Sequence, residues 1–459
     1  MKYSNPILMV IALLCISGCG ASSTRAKIST PTSNVWTWVG GAEVVNQMGT
    51  YGAQGSAAAT NFPGARQQSV RWTDTSANFW LFGGSGYDAT GTPGNLNDLW
   101  EYSSSQWTWM GGSNAANQTG MYGTLGTAAA GNVPGARNSG VGWIDKSGNF
   151  WLFGGSGNDS TGTQGDLNDL WKYSAGQWTW LGGANMVDQT GTYGTLGTAA
   201  TGNIPGGRFH SVSWTDASGN LWLFGGNGYD STGTPGYLND LWEYSAGQWT
   251  WMGGASVVSQ TGTYGTLGAA AASNVPGARQ KAVSWTDASG NFWLLGGYGY
   301  DSVGTLGYLN DLWKYSAGQW TWIGGSNKVN QTGTYGTLGT AAPGNVPGAR
   351  SSGVGWIDAS GNFWIFGGNG YDSAGTQGYL DDLWKYSAGQ WTWVSGSSLA
   401  NESGIYGTQG TAASDNVAGG RFHGVSWIDA SGNFWLFGGN GYDSTATPGS
   451  LNDLWKYEP

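Results

Sequence analysis

Apolar residues in this chain come in short bursts bounded by Gly, Asn, Ser and Thr, and the bursts carry strand rather than helix periodicity. Around Arg208, the stretch from Ser211 to Asp216 alternates small and large residues and predicts a first strand, A. NLWLFGG follows, apolar on both parities, as expected of a strand B covered on both faces. Its Gly-Gly end permits positive φ and predicts the strand's finish. LNDLWEY predicts strand C and QWTW strand D; in the preceding unit, alternation projects Trp178 and Trp180 of strand D to one face.

The pattern then repeats. The Gly-Gly pairs beginning at Gly83, Gly154, Gly225, Gly296, Gly367 and Gly438 are each 71 residues apart, and so are Trp100, Trp171, Trp242, Trp313, Trp384 and Trp455. A period of this size, with four strand signals per unit, predicts a ring or a solenoid. The tryptophans decide between them. Each full unit carries five, as Trp143, Trp151, Trp171, Trp178 and Trp180 show; six units need thirty, and the chain has thirty. The count closes only if Trp36 and Trp38, in the isolated VWTW near the start, complete the last unit, which stops short of its own QWTW. A ring needs such a join and a solenoid does not, so the expectation is an all-β, six-bladed β-propeller closed by an N-terminal strand added to the last blade.

Three segments follow. Residues 1–19 hold Lys2, an apolar run from Ile7 to Ile16 too short to span a bilayer, and Ser17-Gly18-Cys19, the layout of a secretory signal. Ile16-Ser17-Gly18-Cys19 resembles the lipobox of bacterial lipoproteins, which implies lipidation at Cys19 and a place in the cell envelope, at the outer membrane or cell surface. Residues 20–34 are small and polar and read as a flexible tether. Residues 35–459 form the propeller. The two cysteines, Cys15 and Cys19, both precede it, so it holds no internal disulfide and no cysteine nucleophile or metal ligand.

Composition changes the picture in two places. Gly is 85 of 459 residues, which alone would suggest disorder, but thirty Trp in strict phase argue for a packed fold. The net charge of -10, with no basic cluster, excludes nucleic acid and anionic lipid as expected partners and leaves the lipid anchor as the only membrane contact.

The connections are unequal. A to B (Asp216 to Asn220) and C to D (Ser245 to Gly247) are short, whereas B to C (Asn227 to Tyr237) and D to A (Gly182 to Gly207) are long. Antiparallel strands put both long loops on one face, where binding is expected, and both chain ends on the plain face.

Gly-Gly after an aromatic strand, then LNDLWxY, then a Trp-bearing strand, resembles the kelch repeat of galactose-oxidase-like propellers, over essentially the whole of residues 35–459. The resemblance implies that strand A lines a central channel and that ligands sit over the loop-rich face. The copper site of galactose oxidase, two His and two Tyr with one Tyr cross-linked to Cys, has no counterpart, since His210 and His423 are the only histidines. They occupy equivalent sites in opposite blades and read as polar lining residues, with a shared metal as the alternative.

Blades one and four share GARQ, two and five SGVGWID, and three and six GGRFH, so a three-blade unit has doubled. The residues after each Arg vary between blades: Gln67-Gln68, Asn138-Ser139, Phe209-His210, Gln280-Lys281, Ser351-Ser352 and Phe422-His423. Specificity is expected there. Arg66, Arg137, Arg208, Arg279, Arg350 and Arg421 read either as buried partners of Asp230- or Asp240-type carboxylates or as a ring of ligand donors. Asp230, Asn239 and Asp240 offer oxygens to calcium, though without EF-hand spacing, and no other cofactor is expected.

TDASGNFW resembles the sialidase Asp box with one residue too many and reads as a turn. Five Glu in the whole chain leave a paired-carboxylate glycosidase unsupported. No nucleophile sits beside a base. The expected function is therefore a non-enzymatic, monomeric binding module for a glycan or a protein, using the loop-rich face with Phe209, His210, Phe422, His423, Tyr229 and Tyr237. A structural envelope lipoprotein and a metal-dependent enzyme are the alternatives.

Overall fold

The computed structural model describes residues 33–459, so the signal segment, Cys19 and nearly all of the tether lie outside the described residues. Six antiparallel five-stranded sheets are arranged in a ring, a six-bladed β-propeller. In blade three, strand A is broken into Arg208–Phe209 and Val212–Thr215, strand B is Leu221–Tyr229, strand C Pro235–Ser245 and strand D Gln248–Gly253. Trp214 lies opposite Trp222, Leu223 opposite Trp242, and Tyr244 opposite Trp249. The core is the set of layers between neighbouring blades: Trp214 stacks on Phe292 of blade four at 3.7 Å, and Trp285 on Phe363 of blade five at 3.5 Å.

The ring closes as expected. Val35–Gly40 pairs with Pro448–Glu458, placing Trp36 opposite Tyr457 and Trp38 opposite Trp455. Trp36 is buried and packs on Phe366 of blade five as well as Phe434 and Tyr457 of blade six.

Two expectations about the loops fail. Strand B does not end at the Gly-Gly pair but bulges there and runs on to Tyr229, so the B to C connection shrinks to residues 230–234. Gly225 and Gly226 adopt φ of 62° and 100°, and a Cβ on Gly225 would meet the carbonyls of Arg279 and Leu238 at 2.9 Å. Positive φ here supplies a bulge rather than a turn.

The D to A connection does not all crowd the expected face either. Its middle folds down the outside of the ring, where Ala200 bridges Trp249 and Gly197 N donates to Trp251 O. The same bridge recurs as Ala58 to Trp107, Ala129 to Trp178, Ala271 to Trp320, Ala342 to Trp391 and Ala413 to Trp36. Each outermost strand would otherwise present unpaired amides, and the loop covers that edge.

On the opposite side of the ring, the A to B turns are held by one carboxylate each. Asp216 accepts from Asn220 N and from Trp222 Nε1, both at 2.9 Å.

Candidate functional site

The six arginines lie inside the wall, not on a surface. Arg208 pairs with Asp240 in a two-pronged contact at 2.7 and 2.8 Å, and its remaining donors reach the carbonyls of Gly206 and Gly225. Asp240 Oδ2 also accepts from the Tyr193 hydroxyl at 2.6 Å and from Trp242 Nε1 at 2.7 Å. The cluster repeats in every blade, with Arg66, Arg137, Arg279, Arg350 and Arg421 on Asp98, Asp169, Asp311, Asp382 and Asp453. All six arginines are at most 2 % exposed, so a ligand on either face meets none of them, which corrects their place among the ligand donors. They fasten the long loop instead, because Tyr193 belongs to the D to A connection.

The oxygens offered to calcium are also occupied. Asp230 accepts from the amides of Thr232, Thr234 and Val258 and from the Thr232 hydroxyl. Burial opposes its ionisation, but these donors outweigh burial and hold the carboxyl below the usual range. Asn239 Oδ1 takes Ala255 N, and Asp240 takes Arg208.

The residues after each arginine meet at the axis. Gln68, Ser139, His210, Lys281, Ser352 and His423 all adopt φ between 55° and 61°. This left-handed turn breaks strand A, and it brings one residue per blade into a closed hydrogen-bonded ring. Each amide donates to the equivalent carbonyl of the preceding blade, from Ser139 N to Gln68 O at 2.8 Å round to Gln68 N to His423 O at 3.1 Å. Inside it the imidazoles of His210 and His423 stack with centroids 5.1 Å apart and planes 8° apart. Gln68 Nε2 lies 3.0 Å from His210 Nε2 and 3.1 Å from His423 Nδ1, and Ser139 Oγ lies 2.7 Å from His210 Nε2. Burial holds both imidazoles well below their ordinary value; Lys281 adds to this for His210, and His210 and Lys281 for His423. No cluster of three metal-binding side chains occurs among the described residues.

Outside this ring, on the face of the B to C turns, aromatic residues are distributed unevenly. Strand C opens with Tyr237, Tyr308 and Tyr379 in blades three to five, but with Asn95, Asp166 and Ser450 at the same position of blades one, two and six. The tyrosines join a half-circle. Tyr237 lies 6.0 Å from Tyr298 and from Tyr300, Tyr298 5.0 Å from Tyr308, and Tyr308 6.0 Å from Tyr371. Tyr379 continues it to Phe422 at 4.7 Å and Tyr442 at 5.5 Å. Gln280, Lys281, Tyr298, Tyr308, Asn369 and Phe422 help line a cavity of about 180 Å³ on its inner side.

Phe209 and Phe422 lean against His210 and His423 at 5.0 and 4.7 Å, which joins those four candidates. Tyr229 and Tyr237 stand further out, on strands rather than in a loop.

Across from the tyrosines, Asp166 and Asp188 sit together. Asp166 N donates to Asp188 Oδ1 at 2.8 Å, and burial followed by the charge of Asp188 pushes the Asp166 carboxyl up to about 7. Tyr229 is raised by burial, by these two carboxylates and by its hydrogen bond to Asp188. Sequence reading missed Tyr298, Tyr308, Tyr379, Asp166 and Asp188. Comparing the residue immediately before each LND or LDD would have found Tyr308 and Tyr379.

Six sheets closed by a shared strand, with a plugged axis beneath a half-aromatic face, define the chain as a six-bladed β-propeller. No protein-family model and no curated protein matches it. Among solved structures it is similar to that of YjhT, with 14 % identity over 86 % of this chain and 95 % of that one and a TM-score of 0.48. It is also similar to a fungal alcohol oxidase of the AA5 family in complex with copper, with 12 % identity over 89 % and 77 % and a TM-score of 0.45. The fold assignment rests on the six sheets themselves, not on these likenesses.

Proposed function

We propose that the protein is a glycan-binding module, working as a monomer without catalysis or cofactor and held at the cell envelope, on its outer surface, by lipid on Cys19. The observation that carries the reading is the half-circle of Tyr237, Tyr298, Tyr308 and Tyr379 facing Asn95, Asp166 and Ser450. A sugar ring offers C–H faces that pack on aromatic faces and a rim of hydroxyls that need polar partners, and this surface supplies both. The tyrosines stand on strands, so little side-chain or loop ordering is required on binding. Plain-face anchoring would aim this surface away from the membrane.

A screen of the protein lacking residues 1–32 against envelope and extracellular polysaccharides and oligosaccharides tests the reading. Tyr308→Ala and Tyr379→Ala should each weaken the bound glycan about tenfold or more at unchanged melting temperature, a loss of about 1.4 kcal/mol or more. No saturable glycan binding, or affinity in both variants equal to that of the unaltered protein, overturns it.

A protein partner is the second reading, and one observation favours it. Leu125, Leu196, Leu267 and Leu338 stand exposed at equivalent tips of the D to A loops around the rim. Cross-linking to envelope proteins that Leu196→Ser and Leu267→Ser abolish, with no glycan bound, would replace the first reading by this one.

A further inference from the structure

The cavity of about 180 Å³ on the inner side of the tyrosine half-circle is built by blades four, five and six. Tyr298 and Tyr308 lie opposite each other on neighbouring strands, their rings 5.0 Å apart, and form one wall. The Tyr308 hydroxyl is fixed in place by accepting from Gln377 Nε2 at 3.0 Å. Phe422 of blade six lines the cavity as well, and Lys281 and Ser352 reach it from the axial ring, where Ser352 N donates to Lys281 O at 2.8 Å.

Two oxygens of this lining have no partner in the protein. Ser352 Oγ and Asn369 Oδ1 are both shielded from solvent and make no hydrogen bond, and Ser352 as a whole is only 8 % exposed. Buried polar atoms are paired as a rule, so two orphans around one small cavity point to a partner from outside the chain. The cavity also holds an uncompensated charge. Lys281 is the only charged residue lining it, and among the described residues no ion pair involves Lys281. Its charge bears on both His210 and His423, so the ammonium stands close to the axial plug.

We propose that this cavity is the subsite for one uronic acid residue of the bound glycan, with the sugar carboxylate paired to Lys281. The inference rests on the glycan-binding reading above and names the kind of sugar. A hexuronate has an apolar C–H face for the rings of Tyr298, Tyr308 or Phe422, hydroxyls that donate to Ser352 Oγ and Asn369 Oδ1, and one carboxylate to accept from the ammonium. A neutral sugar would satisfy the two oxygens and leave the ammonium bare. A small inorganic anion would satisfy the ammonium and leave the aromatic wall uncovered. The volume is below the roughly 300 Å³ at which pockets for drug-sized ligands begin, so the cavity suits one ring of a chain and leaves the rest to the tyrosine surface.

This pairing of a cation with an aromatic wall occurs in blade four alone. The position of Lys281 is Gln68, Ser139, His210, Ser352 and His423 in the other blades, and that of Tyr298 is Ser85, Ser156, Asn227, Asn369 and Asn440. Lys281→Gln therefore installs a residue that blade one already carries at the equivalent place.

Calorimetric titration at pH 7.5 and low salt, on the protein lacking residues 1–32, tests the subsite with oligomers of galacturonic, glucuronic and mannuronic acid, each as the free acid and as its methyl ester. Acid and ester share rings and hydroxyls and differ in charge. At least one acid should bind tenfold or more tighter than its ester, and in Lys281→Gln, its fold confirmed by melting, that ratio should fall to about one. Esters that bind as tightly as their acids, a neutral glycan that binds more tightly than every acid, or an acid preference retained in Lys281→Gln overturns this inference and leaves the glycan-binding reading standing. No saturable binding by any acid, ester or neutral glycan overturns both.

Discussion

His210 and His423, in opposite blades, lie with ring centroids 5.1 Å apart and nearly parallel, so that two side chains span the axis of the whole propeller. Both are half-buried and desolvated without a charged partner, and the charge of Lys281 bears on each.

That pair makes the fold acid-sensitive. The folded imidazoles titrate well below 6.5 while the unfolded ones titrate near it, so below about pH 6.5 the unfolded chain binds more protons. Stability is full above that pH and falls as pH drops, by up to about 1.4 kcal/mol per unit for each imidazole until its folded value is reached. Asp166 and Asp381, both pushed up to about 7 by burial, act in the opposite direction over the same range. The comparison is therefore between proteins: from pH 7.5 to 5 the unaltered protein should lose melting temperature relative to the His210→Gln, His423→Gln double variant. An unchanged slope in the double variant would contradict the burial argument.

What the chain discloses in advance depends on repetition. Blade number and closure by Trp36 and Trp38 were legible because each strand signal occurs in phase and the tryptophan count fails without the join. Asp240 was named as a partner of Arg208, but so was Asp230, and alternation alone does not separate a carboxylate on strand C from one in a turn. The extent of strand B was hidden because a Gly-Gly pair at positive φ reads equally as a bulge or an end. Tyr298, Asp166 and Tyr308 escaped for the opposite reason: each departs from the repeat, and a search for what recurs passes over what differs.

The buried Arg208 and Asp240 pair should behave asymmetrically. Asp240→Ala leaves a guanidinium, the Tyr193 hydroxyl and Trp242 Nε1 without their shared acceptor, and should cost about 3–5 kcal/mol in chemical denaturation. Replacing both members, Arg208→Met with Asp240→Leu, should recover part of that loss, because much of it is the penalty of one unpaired buried charge. A double variant less stable than Asp240→Ala would show that the pair contributes more than mutual compensation.

Asp166 carries a pH dependence of the other sign. With its carboxyl at about 7 when folded and near 3.9 when unfolded, the folded chain holds an extra proton between those values. Its contribution is full below about pH 3.9, is lost progressively as pH rises from there, and is gone above about 7. Asp166→Asn keeps the amide contact that Asn95 N already makes to Asn117 Oδ1 at 2.9 Å in blade one. The variant should therefore melt higher than the unaltered protein at pH 8, by a smaller margin at pH 5, and at nearly the same temperature below about pH 4. Equal melting at pH 8 would remove the carboxylate repulsion from the account.

Closure supplies the last prediction. Val35–Gly40 adds a strand to blade six, and it also anchors the D to A loop arriving from blade five. Gly410 N donates to Trp38 O at 2.8 Å, Asn416 Nδ2 to Trp36 O at 3.0 Å and Gln409 Nε2 to Val39 O at 3.0 Å. Deleting residues 34–40 removes these bonds, uncovers Phe366, Phe434 and Tyr457, and leaves Pro448–Glu458 as an open edge, whereas trimming residues 20–33 leaves all of them in place. The first truncation should lower the melting temperature steeply and promote association through the bared strand, and the second should do neither. Light scattering alongside thermal melting separates the outcomes, and equal behaviour of the two truncations would contradict a ring held shut at this seam.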